Sequence, residues 1–188
     1  MRKLIMWNLI TLDGYFQGEK DWDLDFHGLV FNKELEEISI EQLKTADMLV
    51  FGETTYRGMA DYWSKESEEG PEGVTAKYMN ALPKIVCSTT LEKADWNNTA
   101  IVRDAVTEIK KLKQEGNGNM FVFGSGILSE SLMNANLFDE YRLAVVPVIL
   151  GKGRRLFTEK MDYKKLNLLE THRLVNDGVI LKYAPASK

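Results

Sequence analysis

The period of the hydrophobic positions changes several times along the chain, and each change marks an element. Over residues 2–10, Leu4, Met6 and Asn8 alternate with Ile5, Trp7 and Leu9, a period of two that predicts a strand. A loop rich in Asp, Gly and aromatic residues follows as far as His27, which is long for a connector. Asn32 is placed to cap a helix whose Leu35, Ile38 and Leu43 share one apolar face, and residues 47–51 read as a short buried strand ending at Gly52. Residues 53–60 suggest a short helix, for which Thr54 is a capping candidate. The acidic stretch 64–72, with Gly70-Pro71 inside it, reads as a solvated loop.

After Pro83, residues 84–88 predict another strand, and Asp104 opens an amphipathic helix in which Val106, Ile109 and Leu112 repeat before Gly116 closes it. Residues 120–123 form a short apolar run that enters Gly124-Ser125-Gly126. Leu128, Leu132 and Ala135 then mark one face of the next helix. Beyond Tyr141 the pattern is all β. Residues 143–150 predict a long apolar strand, and 168–175 pair with 179–184 across Asp177-Gly178, a dipeptide suited to a type I′ turn. The expectation is an α/β body with an antiparallel edge.

Composition narrows the function classes. With 188 residues, 44% of them hydrophobic, and no linker, one domain over 1–188 is expected. The balance of 24 basic against 28 acidic residues gives a net charge of -4, so there is no field to attract nucleic acid or an anionic membrane. No apolar run of about 18 residues is present, and Met1-Arg2-Lys3 leads straight into a strand, which makes a cytoplasmic location the expectation. One cysteine, Cys87, excludes an internal disulfide and reads as an inert core residue. Two distant histidines, His27 and His172, exclude a local imidazole cluster, so no metal site is expected.

In open α/β sheets ligands bind beyond the carboxyl ends of the strands, where helix N-termini can hold phosphate. Two strand ends here carry suitable loops, Phe51-Gly52-Glu53-Thr54-Thr55-Tyr56 and Phe123-Gly124-Ser125-Gly126-Ile127-Leu128-Ser129. Taken alone, helix capping and a tight turn account for them equally well. The second begins like G-x-G-x-x-G but places Ser129 at the third glycine.

Taken in order, these segments resemble the dihydrofolate reductase-like superfamily, in particular the reductase domain that accompanies the deaminase of riboflavin biosynthesis, and its stand-alone relatives. The resemblance rests on Thr11-Leu12-Asp13-Gly14, on Leu49-Val50-Phe51-Gly52 leading to Thr55-Tyr56, and on Lys84-Ile85-Val86-Cys87-Ser88. It also rests on Phe123-Gly124-Ser125-Gly126, Leu137-Phe138-Asp139-Glu140-Tyr141 and Pro147-Val148-Ile149-Leu150-Gly151-Lys152-Gly153. It implies an α/β three-layer sandwich with a mainly parallel central sheet and an antiparallel C-terminal hairpin edge. It further implies NADPH as hydride donor, and a pterin, a pyrimidine or a simple carbonyl compound as the small-molecule substrate.

Carried over by position, Gly124, Ser125, Gly126, Ile127 and Leu128 would cradle the pyrophosphate and nicotinamide side, and Gly52, Thr54 and Thr55 would take phosphate from the opposite side. Ser88 and Thr89 would lie near the adenosine 2′-phosphate. Glu53 stands where the family commonly has arginine, and a carboxylate repels phosphate unless it binds a ribose hydroxyl, so NADH stays open as the cofactor. Dihydrofolate reductases use a buried carboxylate on the first helix, for which no counterpart is evident in this sequence. The loop from Asp21 to His27 therefore supplies the candidates, with Asp25 as the acid and Trp22, Phe26 and His27 against a flat substrate. The alternative is a solvated loop whose aromatics fold onto the core. Related domains pair through apolar edges, and the 143–150 strand with the terminal hairpin leads to the expectation of a homodimer. Two competing functions are a nucleotide-binding module of the same fold without turnover, and a structural protein whose glycine loops are only turns.

Overall fold

The computed structural model describes residues 1–186. In chain order the elements are β1 (Lys3–Thr11), β2 (Tyr15–Gln17), a 3-10 helix (Asp25–Leu29), α1 (Lys33–Lys44), β3 (Ala46–Gly52), α2 (Glu53–Trp63), α3 (Gly73–Ala81) and β4 (Lys84–Cys87). They continue with β5 (Thr99–Val102), α4 (Ala105–Gln114), β6 (Asn119–Phe123), α5 (Gly126–Asn134), β7 (Glu140–Val146), β8 (Arg154–Arg155), β9 (Leu166–Arg173) and β10 (Val179–Pro185). Eight strands form one sheet in the order β5-β4-β3-β6-β1-β7-β10-β9, and β2 pairs with β8 as a separate ribbon. From β5 to β7 every neighbour is parallel, whereas β10 is antiparallel to both β7 and β9.

The alternation of β1 divides the core into two layers. Leu4, Met6 and Ile10 join Val50, Val122, Ile109 of α4 and Leu132 of α5 on one face. Ile5 and Trp7 join Phe51, Phe121, Leu35 and Leu43 of α1, Tyr56 of α2 and Met79 of α3 on the other. Buried strands covered on both sides read as continuous apolar runs, as seen in β3 and β6. Asn32 caps α1 through a bond from the Leu35 amide at 3.0 Å, and Asp104 caps α4 through one from the Thr107 amide at 3.1 Å. Burying Leu35 and Leu43 contributes roughly 1.5–3 kcal/mol each, which seats α1 over the sheet.

Several expectations need correction. Thr54 does not cap α2: Gly52 is the N-cap, with no side-chain bond, and Thr54 lies exposed in the first turn. The apolar run 143–150 is strand only as far as Val146, because Pro147 has no N–H for a ladder. Beyond it, Asp13 holds the chain, accepting bonds from the amides of Leu150 at 3.1 Å and Gly151 at 2.8 Å. The hydrogen bond from Thr11, with these amides, draws the Asp13 carboxyl down to about 2. β7 lies between β1 and β10, so the apolar strand proposed as a free edge is interior and the edge is β9. The terminal turn is wider than type I′: Leu174 donates to the Gly178 carbonyl at 2.9 Å, and only Asp177, at φ 65°, is left-handed. The hydrophobic periodicity gives no sign of α3 or β5. α3 has no side-chain cap, and β5 is four residues at a sheet edge.

Candidate active site

The loops after β3 and β6 are knotted together. Gly124 and Ser125 are both left-handed, at φ 56° and 61°, a sharp reversal that L residues rarely adopt. Ser125 Oγ accepts from the Gly52 amide at 2.7 Å and donates to Thr55 Oγ1 at 2.9 Å, while the Gly124 amide donates to Asn8 Oδ1 at 2.8 Å. The approach is so close that a Cβ on Gly124 would lie 2.9 Å from Thr55 Oγ1, and one on Gly126 would lie 3.2 Å from the Phe16 ring. Helices α5 and α2 both start here without a side-chain cap, so their first-turn N–H groups and positive dipole ends open into one groove of about 750 Å³. Of the residues carried over by resemblance, Gly52, Thr54, Thr55, Ser88, Thr89, Ser125, Gly126, Ile127 and Leu128 line this groove, and Gly124 lines the cavity beside it. Uncapped helix ends and a backbone stripped of Cβ atoms fit a dinucleotide's phosphates.

Charges of both signs line the groove, with Arg103, Arg154, Arg155 and Lys160 beside Glu53, Asp104 and Glu130. Glu53 accepts hydrogen bonds from Ser88 Oγ, from Thr90 Oγ1 at 2.7 Å and from Arg57 at 2.8 Å. These bonds, that of Ser88 foremost, hold its carboxyl near 2, so it is ionised at any physiological pH.

The adjoining cavity, about 470 Å³, runs between α1, α2, α3 and the sheet face and is walled by Trp7, Leu35, Met59, Trp63, Phe121 and Phe123. Four buried polar atoms on this wall have no partner among the described residues: Asn8 Nδ2, His27 Nε2, Gln42 Nε2 and Thr75 Oγ1. An unmet buried polar group costs about 1–3 kcal/mol. The orientation of both amides is determined. Gly124 N–H claims the oxygen of Asn8, and Arg142 Nη1 claims that of Gln42 at 2.9 Å, which leaves an NH₂ donor on each. Burial pushes His27 down to about 4, so its ring is neutral at pH 7. Phe16, Gln17 and Thr55 line both the groove and the cavity, so the two meet at these residues.

The predicted substrate loop is divided between the cavity and the rest of the molecule. Trp22 and His27 line the cavity, with Trp22 at φ 63° and its ring lying against Gly58 of α2. Phe26 is core: it is buried and meets the His27 ring edge-on at 4.7 Å. Asp25 opens the 3-10 helix on the exposed side and does not line the cavity. The first helix does contribute a carboxylate, because Glu36 lines the cavity with Ser39 and Gln42, and it has no side-chain partner among the described residues. Its spacing to Ser39 and Leu43 was the available signal. Asn8 also had one, as the polar member of a buried strand face. Thr75 had none, since its helix was not foreseen. Cys87 borders the groove with its thiol pushed up to about 12 by burial, and His172 is a surface partner of Glu34 at 2.9 Å.

A model of the RibD C-terminal domain matches residues 2–180. The YyaP protein of Bacillus subtilis (strain 168) is 27% identical over 183 residues, 95% of this chain and 92% of its own. A putative riboflavin biosynthesis protein from Shewanella sp. PV-4 superposes with a TM-score of 0.77 at 20% identity over 98% of this chain and 99% of that one. Dihydrofolate reductase from Enterococcus faecalis, complexed with NADP(H), gives 0.66 at 13% identity over 98% and 97%. The deaminase/5-amino-6-(5-phosphoribosylamino)uracil reductase of Thermotoga maritima gives 0.64 at 13% identity over 98% of this chain and 57% of that one. At such identities the superpositions establish a dihydrofolate reductase-like fold, and the match along the sequence establishes the family. The chain belongs to the RibD C-terminal domain family.

Proposed function

We propose that this protein is an NAD(P)H-dependent reductase that transfers a hydride to a small heterocycle of pterin or pyrimidine type, or to an activated carbonyl. The observation that carries this reading is the junction at Phe16, Gln17 and Thr55, where a phosphate-suited groove meets an apolar cavity sized for a ring. When bound, the dinucleotide supplies the hydride.

The chain's own residues position and protonate. The first-turn amides of α5 and α2 hold pyrophosphate, and Thr54 and Thr55 add hydroxyls. Ser88 and Thr89 face the adenosine ribose. There the Glu53 carboxylate disfavours a 2′-phosphate, while Arg103, which lines the groove and donates to the Ser88 carbonyl at 2.8 Å, favours one, so NADPH stands as the cofactor with NADH as the alternative. Hydride addition to C=N or C=O leaves an anionic nitrogen or oxygen. Glu36, directly or through water, is the group that protonates it. Trp22 covers the cavity mouth and excludes water.

The molecule pairs as a homodimer through β9, an edge strand on which Leu168 and Leu169 are more than half exposed. Light scattering that reports only monomer at micromolar concentration overturns this assembly. For the reaction, each cofactor is titrated into the protein and dihydronicotinamide absorbance is followed with pterins, pyrimidines and simple carbonyls. Binding followed by substrate-dependent loss of absorbance is expected. Cofactor binding without turnover on any of them points instead to a binding module, and no binding of either cofactor overturns the reading.

A further inference from the structure

The apolar cavity carries a chemical signature at its deep end. Of the charged side chains, only the carboxylates of Glu36 and Glu72 line it, with no lysine or arginine among the described residues, and the one imidazole, His27, is neutral. The nearby cations are turned elsewhere. Arg142 pairs with Glu140 at 2.6 Å and stacks behind Phe121, and Lys84 is bound to the carbonyls of Met79 at 2.8 Å and Leu82 at 2.7 Å. An anionic substituent therefore meets no counter-ion on the cavity wall, whereas Arg154 and Arg155 line the groove beyond the junction.

Against this stand the NH₂ groups of Asn8 and Gln42 and the hydroxyl of Thr75, all more than nine-tenths buried, unpartnered among the described residues and lining the cavity. The two amides can only donate there, because their oxygens are already engaged.

We propose that the substrate of this site is an uncharged, unphosphorylated heterocycle whose ring carbonyls or ring nitrogens accept hydrogen bonds from Asn8 and Gln42. It thus differs from the phosphoribosylated uracil named for the Thermotoga maritima reductase. This rests on the reading of the cavity as the substrate side of a reductase, but its test is binding. Calorimetry on the full chain compares 5,6-diaminouracil with the same ring carrying the phosphoribosylamino group, for the parent and for Gln42→Met, which keeps the bulk of the side chain and removes its donor.

The expected result is that the free base binds at least about tenfold tighter than the phosphoribosyl compound. Gln42→Met should lose about tenfold for the free base while keeping its cofactor affinity, with a lowered melting temperature because Arg142 loses its acceptor, whereas Gln42→Glu keeps that acceptor. If Gln42→Met does not fold, Gln42→Glu, read the same way, takes its place. Equal or tighter binding of the phosphorylated compound overturns the proposal, as does failure of the free base to bind or unchanged affinity in a folded variant. Free-base binding with no dihydronicotinamide oxidation on any of the pterins, pyrimidines or carbonyls keeps this proposal and removes the reductase reading. Turnover of the phosphoribosyl compound does the reverse.

Discussion

The hydroxyl of Ser125 accepts the amide hydrogen of Gly52 at 2.7 Å, joining two strand-end loops that are 73 residues apart in sequence. The same oxygen donates to Thr55, so one side chain sets the separation of two helix N-termini. Ser125→Ala leaves the Gly52 amide without its partner, which costs about 1 kcal/mol of stability, and it loosens the groove. Dinucleotide affinity is expected to fall about tenfold. Ser125→Gly loses the same affinity with a smaller change in melting temperature, because glycine relieves the left-handed strain at φ 61°. Calorimetric titration and thermal melts of the two variants check both statements, and unchanged affinity in either rejects the link.

Glu53 is the residue to alter for cofactor preference. Glu53→Gln removes the negative charge and keeps the shape, and Glu53→Arg adds a donor suited to phosphate. Both are expected to raise the ratio of NADPH to NADH affinity, the arginine by about tenfold or more. An equal change for the two cofactors would place Glu53 away from the 2′ position.

The fold was legible where periodicity and caps agree. β1, β3 and β6 have two-sided apolar runs, and Asn32 and Asp104 cap the helices they were expected to open. What stayed hidden depends on tertiary contact. α3 has no side-chain cap and is held at its C-terminus by Lys84, a buried lysine that donates to the carbonyls of Met79 and Asn80 in that helix and of Leu82 just beyond it. β7 stops at Val146 because of Pro147 and Asp13, although its hydrophobic run continues. At the site, glycines and hydroxyls in the two loops marked the groove. For the cavity, loop composition points to Asp25, whereas placement in the fold decides which carboxylates line it. Glu36, one residue beyond the core residue Leu35, faces the cavity, and Asp25 faces away from it.

His27 should make stability depend on pH within a narrow window. Its folded value is about 4 and its ordinary value 6.5, so the unfolded chain binds the proton more readily. The stability from burying the neutral ring is fully present above pH 6.5 and is lost as pH falls toward 4, up to roughly 3 kcal/mol in all. The depressed carboxyls of Asp13 and Glu53 give stability that is present above their ordinary values of 3.8 and 4.5 and lost as pH falls from there toward about 2, so they overlap only the acid end of this window. Urea denaturation at intervals between pH 7 and 4.5 should show this decline in the parent and flatten it in His27→Gln. A decline of the same size in His27→Gln would assign it to another group.

The last expectation concerns the proton. Two carboxylates compete for the role, and they differ in position. Asp25 begins the 3-10 helix in solvent, outside the cavity wall, whereas Glu36 lines the cavity from α1. A group that protonates a reduced ring must come within hydrogen-bond reach of it, directly or through one water. Glu36→Gln is therefore expected to lower kcat by about 10² or more, within the usual range for loss of a general acid, with dinucleotide affinity unchanged. Asp25→Asn should leave kcat within about twofold, as for a surface charge. Lower pH restores turnover in Glu36→Gln if solvent can take over protonation, and that rescue separates loss of an acid from loss of structure. Steady-state kinetics across pH for both variants, with cofactor titrations beside them, tests the assignment. Full turnover in Glu36→Gln together with loss in Asp25→Asn would return the role to the loop.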